Sequence, residues 1–256
     1  MNTKKILPVY FFLLGLSLLT MLLLWSSQRS TKTRDLPEIR EEGILRIVTD
    51  YNSVGYYNTE DTIAGTQYAL CKSIEKLSGL KVEIYLENSL AKSFQGLKNR
   101  EYDIIARNIP ITSQTKEIIT FTNPVKRSKQ VLVQRTAAYN NGIKPIRNQI
   151  GLAKKTFYVS ENSPSILRIK NLAEEIADTI YIKEEKNCNS EQLIHMVANG
   201  EIDFAVADQE IAIKNKKNLP QIDVETEISF TQFQAWAIRK DSPVLLDSLN
   251  LWLKKK

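Results

Sequence analysis

The residues able to do chemistry in this chain are few, and most familiar chemistries can be set aside at once. One His and two Cys among 256 residues leave too few soft ligands for a zinc site, and no cluster has metal-ligand spacing. His195 is the only imidazole for a Ser-His-Asp triad, yet it falls mid-helix in the Glu191–Asn199 pattern and reads as a surface or half-buried helix residue. No phosphate-cradling Walker loop and no Gly-rich dinucleotide fingerprint occurs. No cofactor or metal is therefore expected. What remains is recognition chemistry. Tyr51, Tyr56 and Tyr57 crowd one loop, where they either stack on a ligand or pack onto the domain. Arg107 follows a strand, where a guanidinium either meets an anion or is solvated or ion-paired. Cys71 lies on an apolar helix stripe and reads as core; Cys188 sits in a polar loop far along the chain, so no disulfide is expected.

The elements that position these residues alternate. Ile44–Val48 reads as a buried strand, a helix opens at Gly65 and stops at Gly79, and Lys81–Tyr85 alternates as a strand. A short helix at Leu90–Leu97, a strand at Asp103–Ala106, a helix at Ser113–Ile119 and a strand at Lys129–Arg135 complete the first half. The pattern then restarts with a strand at Thr156–Val159, a helix at Pro164–Ile176 and a strand at Thr179–Ile182. A helix at Ser190–Asn199 and a strand at Ile202–Val206 follow. Ala235–Ile238 reads as a late strand, and Ser242-Pro243 opens a final helix to Leu253. The β-α-β alternation, run twice, predicts an α/β protein of two lobes with a ligand cleft between them.

Composition bounds the rest. With 43% apolar and 25% charged residues the body is ordinary globular protein rather than disorder. Net charge is +6, but six of the 35 basic residues are Lys4, Lys5, Arg29 and Lys254–Lys256, leaving 29 against 29 acidic ones. A neutral body gives no reason to expect nucleic acid. Residues 6–25, ILPVYFFLLGLSLLTMLLLW, carry no charge, and as a helix would span ~30 Å, a bilayer's hydrocarbon core. Trp25 spoils a small-x-small cleavage site and no Cys offers a lipid anchor. An uncleaved N-terminal signal anchor over residues 1–30 is therefore expected, with a polar tether at 31–35 and the body exported to the periplasm. Arg29, Lys32 and Arg34 compete with Lys4 and Lys5 over orientation.

Several motifs in order carry a family resemblance: Leu45-Arg-Ile-Val-Thr49, Gly65-x-x-Tyr68-x-Leu70, Tyr102-Asp103-Ile-Ile-Ala, Ile111-Thr112, Phe121-Thr-Asn-Pro124, Gly200-Glu-Ile-Asp203 and Val206-Ala-Asp208. Together they resemble the family 3 extracellular solute-binding proteins, the type II periplasmic binding fold. Arg107-Asn-Ile-Pro-Ile-Thr112, Gln130–Arg135, Asp178–Ile182, Glu191–Ile194 and Ala235–Arg239 resemble most the non-catalytic binding module of the membrane-bound lytic murein transglycosylases of type F. The resemblance runs from about Leu36 to Leu253. It implies lobe one at 36–128 and 229–256, lobe two at 129–228, and an amino acid, peptide or muropeptide as ligand.

The resemblance also implies site residues. Asp208 matches the Asp that holds a ligand ammonium, and otherwise would cap the helix after its strand. Ser163 and Ser165 loosely match the helix-start donors of lobe two; Asn162 replaces the usual Gly, and Pro164 takes helix position N1. The carboxylate-binding Arg of the family falls on Thr115, so that fork is absent, and Lys116 points elsewhere. The ligand-binding set expected is Tyr51, Ser53, Tyr57, Arg107, Asn108, Thr112, Ser163 and Asp208. The type F enzymes place their Glu-Ser acid/base pair in a second domain. This sequence ends at Lys256, and neither Glu161 nor Glu191 reproduces the pair, so no lytic activity is expected. A membrane-tethered solute binder, partnered by a permease, and a murein-associated sensor, partnered by a murein enzyme, are the two readings.

Overall fold

The computed structural model describes residues 14–17, 20–21 and 34–255. The apolar run at 6–25 and the tether lie mostly outside the described residues. Among those described, no helix is long and apolar enough to cross a membrane.

From Asp35 onward the chain builds two mixed sheets, each flanked by helices. The first unit runs α1 (Leu36–Glu42), β1 (Ile44–Thr49), a small hairpin of β2 (Tyr57–Asn58) and β3 (Ile63–Ala64), and α2 (Thr66–Ser78). It continues through β4 (Lys81–Leu86), α3 (Leu90–Lys98), β5 (Ile104–Pro110), α4 (Ser113–Ile118), β6 (Thr120–Phe121) and β7 (Lys126–Ser128). The second unit holds β8 (Gln130–Arg135), β9 (Thr156–Ser160), α5 (Ser165–Glu175), β10 (Tyr181–Glu185), α6 (Ser190–Asn199), β11 (Ala205–Asp208), α7 (Gln209–Lys216) and β12 (Ile222–Glu227). The chain then returns with β13 (Gln232–Ile238) and α8 (Pro243–Lys254).

Sheet one has the order β4-β1-β5-β13-β6, with β7 also on β13; sheet two has the order β10-β9-β11-β8-β12. In each, the β-α-β-α-β unit gives three parallel strands, and the fourth strand, β13 or β8, is antiparallel and arrives across the crossover. Strands buried on both faces explain the β-branched runs. Ile47 joins the core of Leu45, Ile74, Trp236 and Leu249, while its neighbour Val48 joins Leu97, Ile105 and Ile109 on the opposite face. In sheet two, Val131 and Val133 pack with Leu193 and Val197, and Leu132 packs with Phe157, Val159 and Leu172. The two crossing segments bond to each other: Gln130 N–H donates to Ser229 Oγ (2.9 Å), Ile228 N–H donates to the Gln130 carbonyl (2.8 Å), and Gln232 pairs with Ser128. They form a two-stranded ribbon between the lobes.

Several elements differ from the sequence expectation. The strand expected at Thr179–Ile182 is β10, shifted to Tyr181–Glu185: it is an edge strand paired only with β9, so its charged residues face water. The strand expected at Asp103–Ala106 runs on to Pro110, which puts Arg107 and Asn108 inside β5 rather than after it. Pro164 is the cap of α5 and not its first residue. Cys71 is buried and Cys188 half-buried, both free thiols, and His195 is exposed on α6.

Candidate ligand-binding cleft

The carboxyl ends of the leading strands of the two sheets face one cavity, the position at which open α/β sheets take ligands. From lobe one it is lined by Asp50 after β1, by Asn52 and Gly55 in the next loop, by Gln67 of α2, and by Arg107, Asn108 and Pro110 of β5. From lobe two come Ser160, Glu161, Ser163 and Ser165 around the start of α5, Ser190 of α6, and Asp208 at the end of β11. Gln130 of the crossing ribbon closes the floor. The cavity volume is ≈ 120 Å³. At ~10–15 Å³ per water-sized occupant, that admits roughly ten non-hydrogen atoms.

Local structure fixes the walls. Asn52 Oδ1 accepts the Val54 and Gly55 N–H groups (3.0 and 2.7 Å), which curls the 52–55 loop into an Asx turn. Gly65 holds that turn against α2: its φ is +126°, and a Cβ there would sit 2.2 Å from the Gly55 carbonyl oxygen, so only glycine fits. That carbonyl accepts the Gln67 and Tyr68 N–H groups. Deeper in, the Trp236 indole donates to Gln67 Oε1 (2.8 Å) and Gln67 Nε2 donates to Asn108 Oδ1 (2.7 Å), so the buried core of lobe one orients Asn108.

The charges are unbalanced. Arg107 Nε lies 3.1 Å from Asp50 Oδ1, and its Nη1 donates to the Glu87 and Asn88 carbonyls (3.4 and 3.2 Å). That pair is internally neutral, which leaves Asp208 and Glu161 as surplus carboxylates in the lining. Asp208 Oδ1 accepts the Glu210 N–H (3.0 Å) as the cap of α7, and Oδ2 accepts from Gln234 Nε2 of β13 (2.7 Å). Burial pushes its carboxyl above the usual range, against the opposing pull of Gln234, Ser128 and Lys126. Burial also lowers the pKa of Lys126, which pairs with Glu210.

Of the expected set, Arg107, Asn108, Ser163 and Asp208 line this cavity; Tyr51, Ser53, Tyr57 and Thr112 do not. Tyr51 instead borders a shallower depression with Glu87, Asn88, Lys92 and Asn187. Tyr57 is half-buried in the β2–β3 hairpin, and Tyr56 is buried edge-on against Tyr68. Thr112 caps α4 in a reciprocal capping box with Thr115, which is itself buried. Where the family resemblance expects a guanidinium, the side chain is thus consumed in holding a helix start, and Lys116 is exposed. Ser163 Oγ lies 2.7 Å from Ser165 Oγ and accepts the Ser165 N–H (3.3 Å), so it serves the start of α5 and the cavity together. Asp50, Asn52, Gln67, Gln130 and Glu161 were missed. Asp50 and Glu161 directly follow strands, and that placement was the available signal.

The sequence model of the bacterial extracellular solute-binding proteins, family 3, matches residues 45–255. Among curated proteins, the membrane-bound lytic murein transglycosylase F of Desulfosudis oleivorans is 27% identical over 88% of this chain and 48% of its own length. The protein of that name from Aeromonas salmonicida is 26% identical over 90% of this chain and 45% of its own. The chain thus spans about half the length of these relatives. Among solved structures, holo ArgBP from T. maritima superposes with a TM-score of 0.73 at 20% identity, covering 86% of this chain and 93% of that one. An ancestral arginine-binding protein bound to arginine gives a TM-score of 0.71 at 23% identity, covering 83% and 92%. These likenesses establish the two-lobed binding-protein fold and agree with the resemblance read from the motifs.

Proposed function

The chain belongs to the bacterial extracellular solute-binding proteins of family 3, and from that premise we propose that it captures a small cationic solute between its lobes. The observation that carries this reading is the surplus of carboxylate in the cavity lining. With Arg107 committed to Asp50, the groups offered to a ligand are Asp208, Glu161, the Ser163–Ser165 hydroxyls and the Asn108 amide. An ammonium or guanidinium would add to the pull that Gln234, Ser128 and Lys126 exert on the half-buried Asp208 carboxylate, where a free carboxylate would meet like charge. Roughly ten atoms of room suits an amino-acid-sized molecule, or the amino end of a larger one, and the binding requires no chemical step.

The test is titration calorimetry of the purified chain against basic, neutral and acidic amino acids, short peptides and muropeptides. Basic solutes should bind tightest, with Asp208→Asn weakening them. Preference for an acidic amino acid, insensitive to Asp208→Asn, would refute the reading. A second reading is favoured by the name of the curated relatives: the solute is the amino group of a peptidoglycan peptide, and a murein enzyme rather than a permease is the partner. Selective binding of muropeptides in the same titration would select it.

We further place the protein at the cell membrane, anchored by the uncharged run at residues 6–25 with the body in the periplasm. Protease digestion of the body in intact spheroplasts, with the anchor retained in the membrane fraction, tests that placement.

A further inference from the structure

The sequence motif Glu191-Gln-Leu-Ile194 is not absorbed by the cavity, yet Glu191 reaches from lobe two to the backbone of lobe one. Its Oε2 accepts the Ser53 backbone N–H of lobe one at 2.8 Å, and its Oε1 accepts Asn215 Nδ2 of α7 at 2.6 Å. Asn215, 7% exposed, also donates to Ser53 Oγ at 3.3 Å. Beside them Asn189 uses both ends of its amide: Oδ1 caps α6 at the Gln192 N–H (2.9 Å), and Nδ2 donates to the Tyr51 carbonyl (3.0 Å).

We infer that Glu191, held by Asn215, is a latch that closes the cleft by grasping the Ser53 amide, and so sets solute affinity without touching solute. Both sides of the contact are braced by bonds within their own lobe. The Ser53 amide projects from the turn that Asn52 and the Gly55–Gly65 contact hold in place. Glu191 sits in the first turn of a helix with a complete capping box, and Asn215 is anchored to the Ile211 carbonyl at 2.9 Å. A charge-assisted bond between preorganised groups costs little ordering entropy, so its strength goes into the closed state. A solute that needs both lobes then meets a protein already biased towards the form it fits, and its apparent affinity rises with the closed fraction. The inference rests on the two-lobed architecture and not on which solute binds.

The experiment measures the distance between paired spin labels on the two lobes of the full-length chain, at Asp61→Cys and Lys217→Cys, with Cys188→Ser. Cys71 stays native, because burial pushes its thiol up to about 12 and keeps it from the label. Native mass spectrometry first establishes that no solute has copurified. The expected result is a short, narrow distance with Glu191 in place and a longer, broader one after Glu191→Ala. The shift in the closed-to-open ratio should be ~10- to 100-fold. Asn215→Asp, which sets a second carboxylate against Glu191, should open the cleft in the same way. Circular dichroism checks that α6 and α7 persist, and where Glu191→Ala loses helix, Asn215→Asp decides. A broad, long distance with both residues intact, or one short distance shared by all variants, would overturn the latch while leaving the calorimetric reading of the cavity untouched.

Discussion

At Asp208 one carboxylate caps α7, bonds Gln234 on the other lobe and faces the cavity. Burial raises its pKa above the unfolded value of ~3.9, so its ionised form is held at a cost to stability. The partner Gln234 is 1% exposed, and its Oε1 is buried with no hydrogen-bond partner. Asp208→Asn should therefore have opposite effects on stability and binding. Asn caps a helix as well as Asp and carries no charge to desolvate; its N–H₂ meets Gln234 Oε1 once that amide turns round, which leaves one end of the Gln234 amide without a partner as before. Stability at neutral pH should rise by ~1 kcal/mol, while affinity for a basic solute falls ~10- to 100-fold. The pH dependence follows from the raised folded pKa. The protein binds the Asp208 proton more tightly than the unfolded chain does. The associated stability is full below ~pH 3.9 and is lost as pH rises through the higher folded value. Melting of both proteins across that window should show the variant's advantage growing with pH to a plateau; an advantage that shrinks would contradict the burial argument.

At the scale of elements, Asp35 serves two helices. Its Oδ1 accepts the Leu36 and Leu245 N–H groups (2.8 and 2.7 Å), its Oδ2 accepts the Val244 N–H (3.0 Å), and Ser242 provides no side-chain cap for α8. Asp35→Ala should uncap both ends and destabilise lobe one by ~1–3 kcal/mol in urea unfolding, with Asp35→Asn recovering part of the loss. An effect within ~0.5 kcal/mol would show that water replaces the carboxylate at both helices. The signal for α1 was in the sequence, since Asp35-Leu-Pro-Glu38 spells a capping box with proline in the first turn, yet this helix was not anticipated. Other omissions had less signal. α7 is expected only as the helix that Asp208 would cap, without bounds, because with Ile213 exposed and Ala212 buried no apolar stripe marks it. In β12 the buried Asp223 breaks the apolar reading, because its tolerance depends on a distant partner, Arg147, whose fork meets both carboxylate oxygens (2.5 and 2.7 Å). The leading strands, with β-branched runs buried on both faces, were legible from local pattern alone. In the site, Asp208 and Arg107 could be singled out by type and position, but Gln67 and Gln130 become lining residues only through the packing of helix on sheet and the crossing of the ribbon.

From Asp35 onward the chain is one lobe inserted into another, and the insertion has a consequence for folding. Both apolar cores of lobe two, around Leu193 and around Phe157, are drawn from a single stretch of chain at residues 129–229. The two ends of that stretch already lie side by side, because β8 and β12 are antiparallel neighbours with Val131 opposite Glu227. A domain with its own core and adjacent termini has what independent folding requires. Lobe one differs. Trp236, Ile238, Leu245 and Leu249, which come after the insertion, sit in one core with Ile47 and Ile104 from before it, and β13 is an interior strand that pairs with β5, β6 and β7. Residues 129–229 expressed alone should therefore unfold cooperatively in urea, with a stability of ~5 kcal/mol or below. Residues 35–128 alone should lack a cooperative transition, since they expose the edge of β5 with which β13 pairs. Joining residues 35–128 to 230–256 through a short Gly-Ser linker should restore one, because Ser128 and Gln232 are paired neighbours that a few residues can connect. Cooperative folding of residues 35–128 without their return segment, or failure of 129–229 to fold, would mean that the lobes are not separable units.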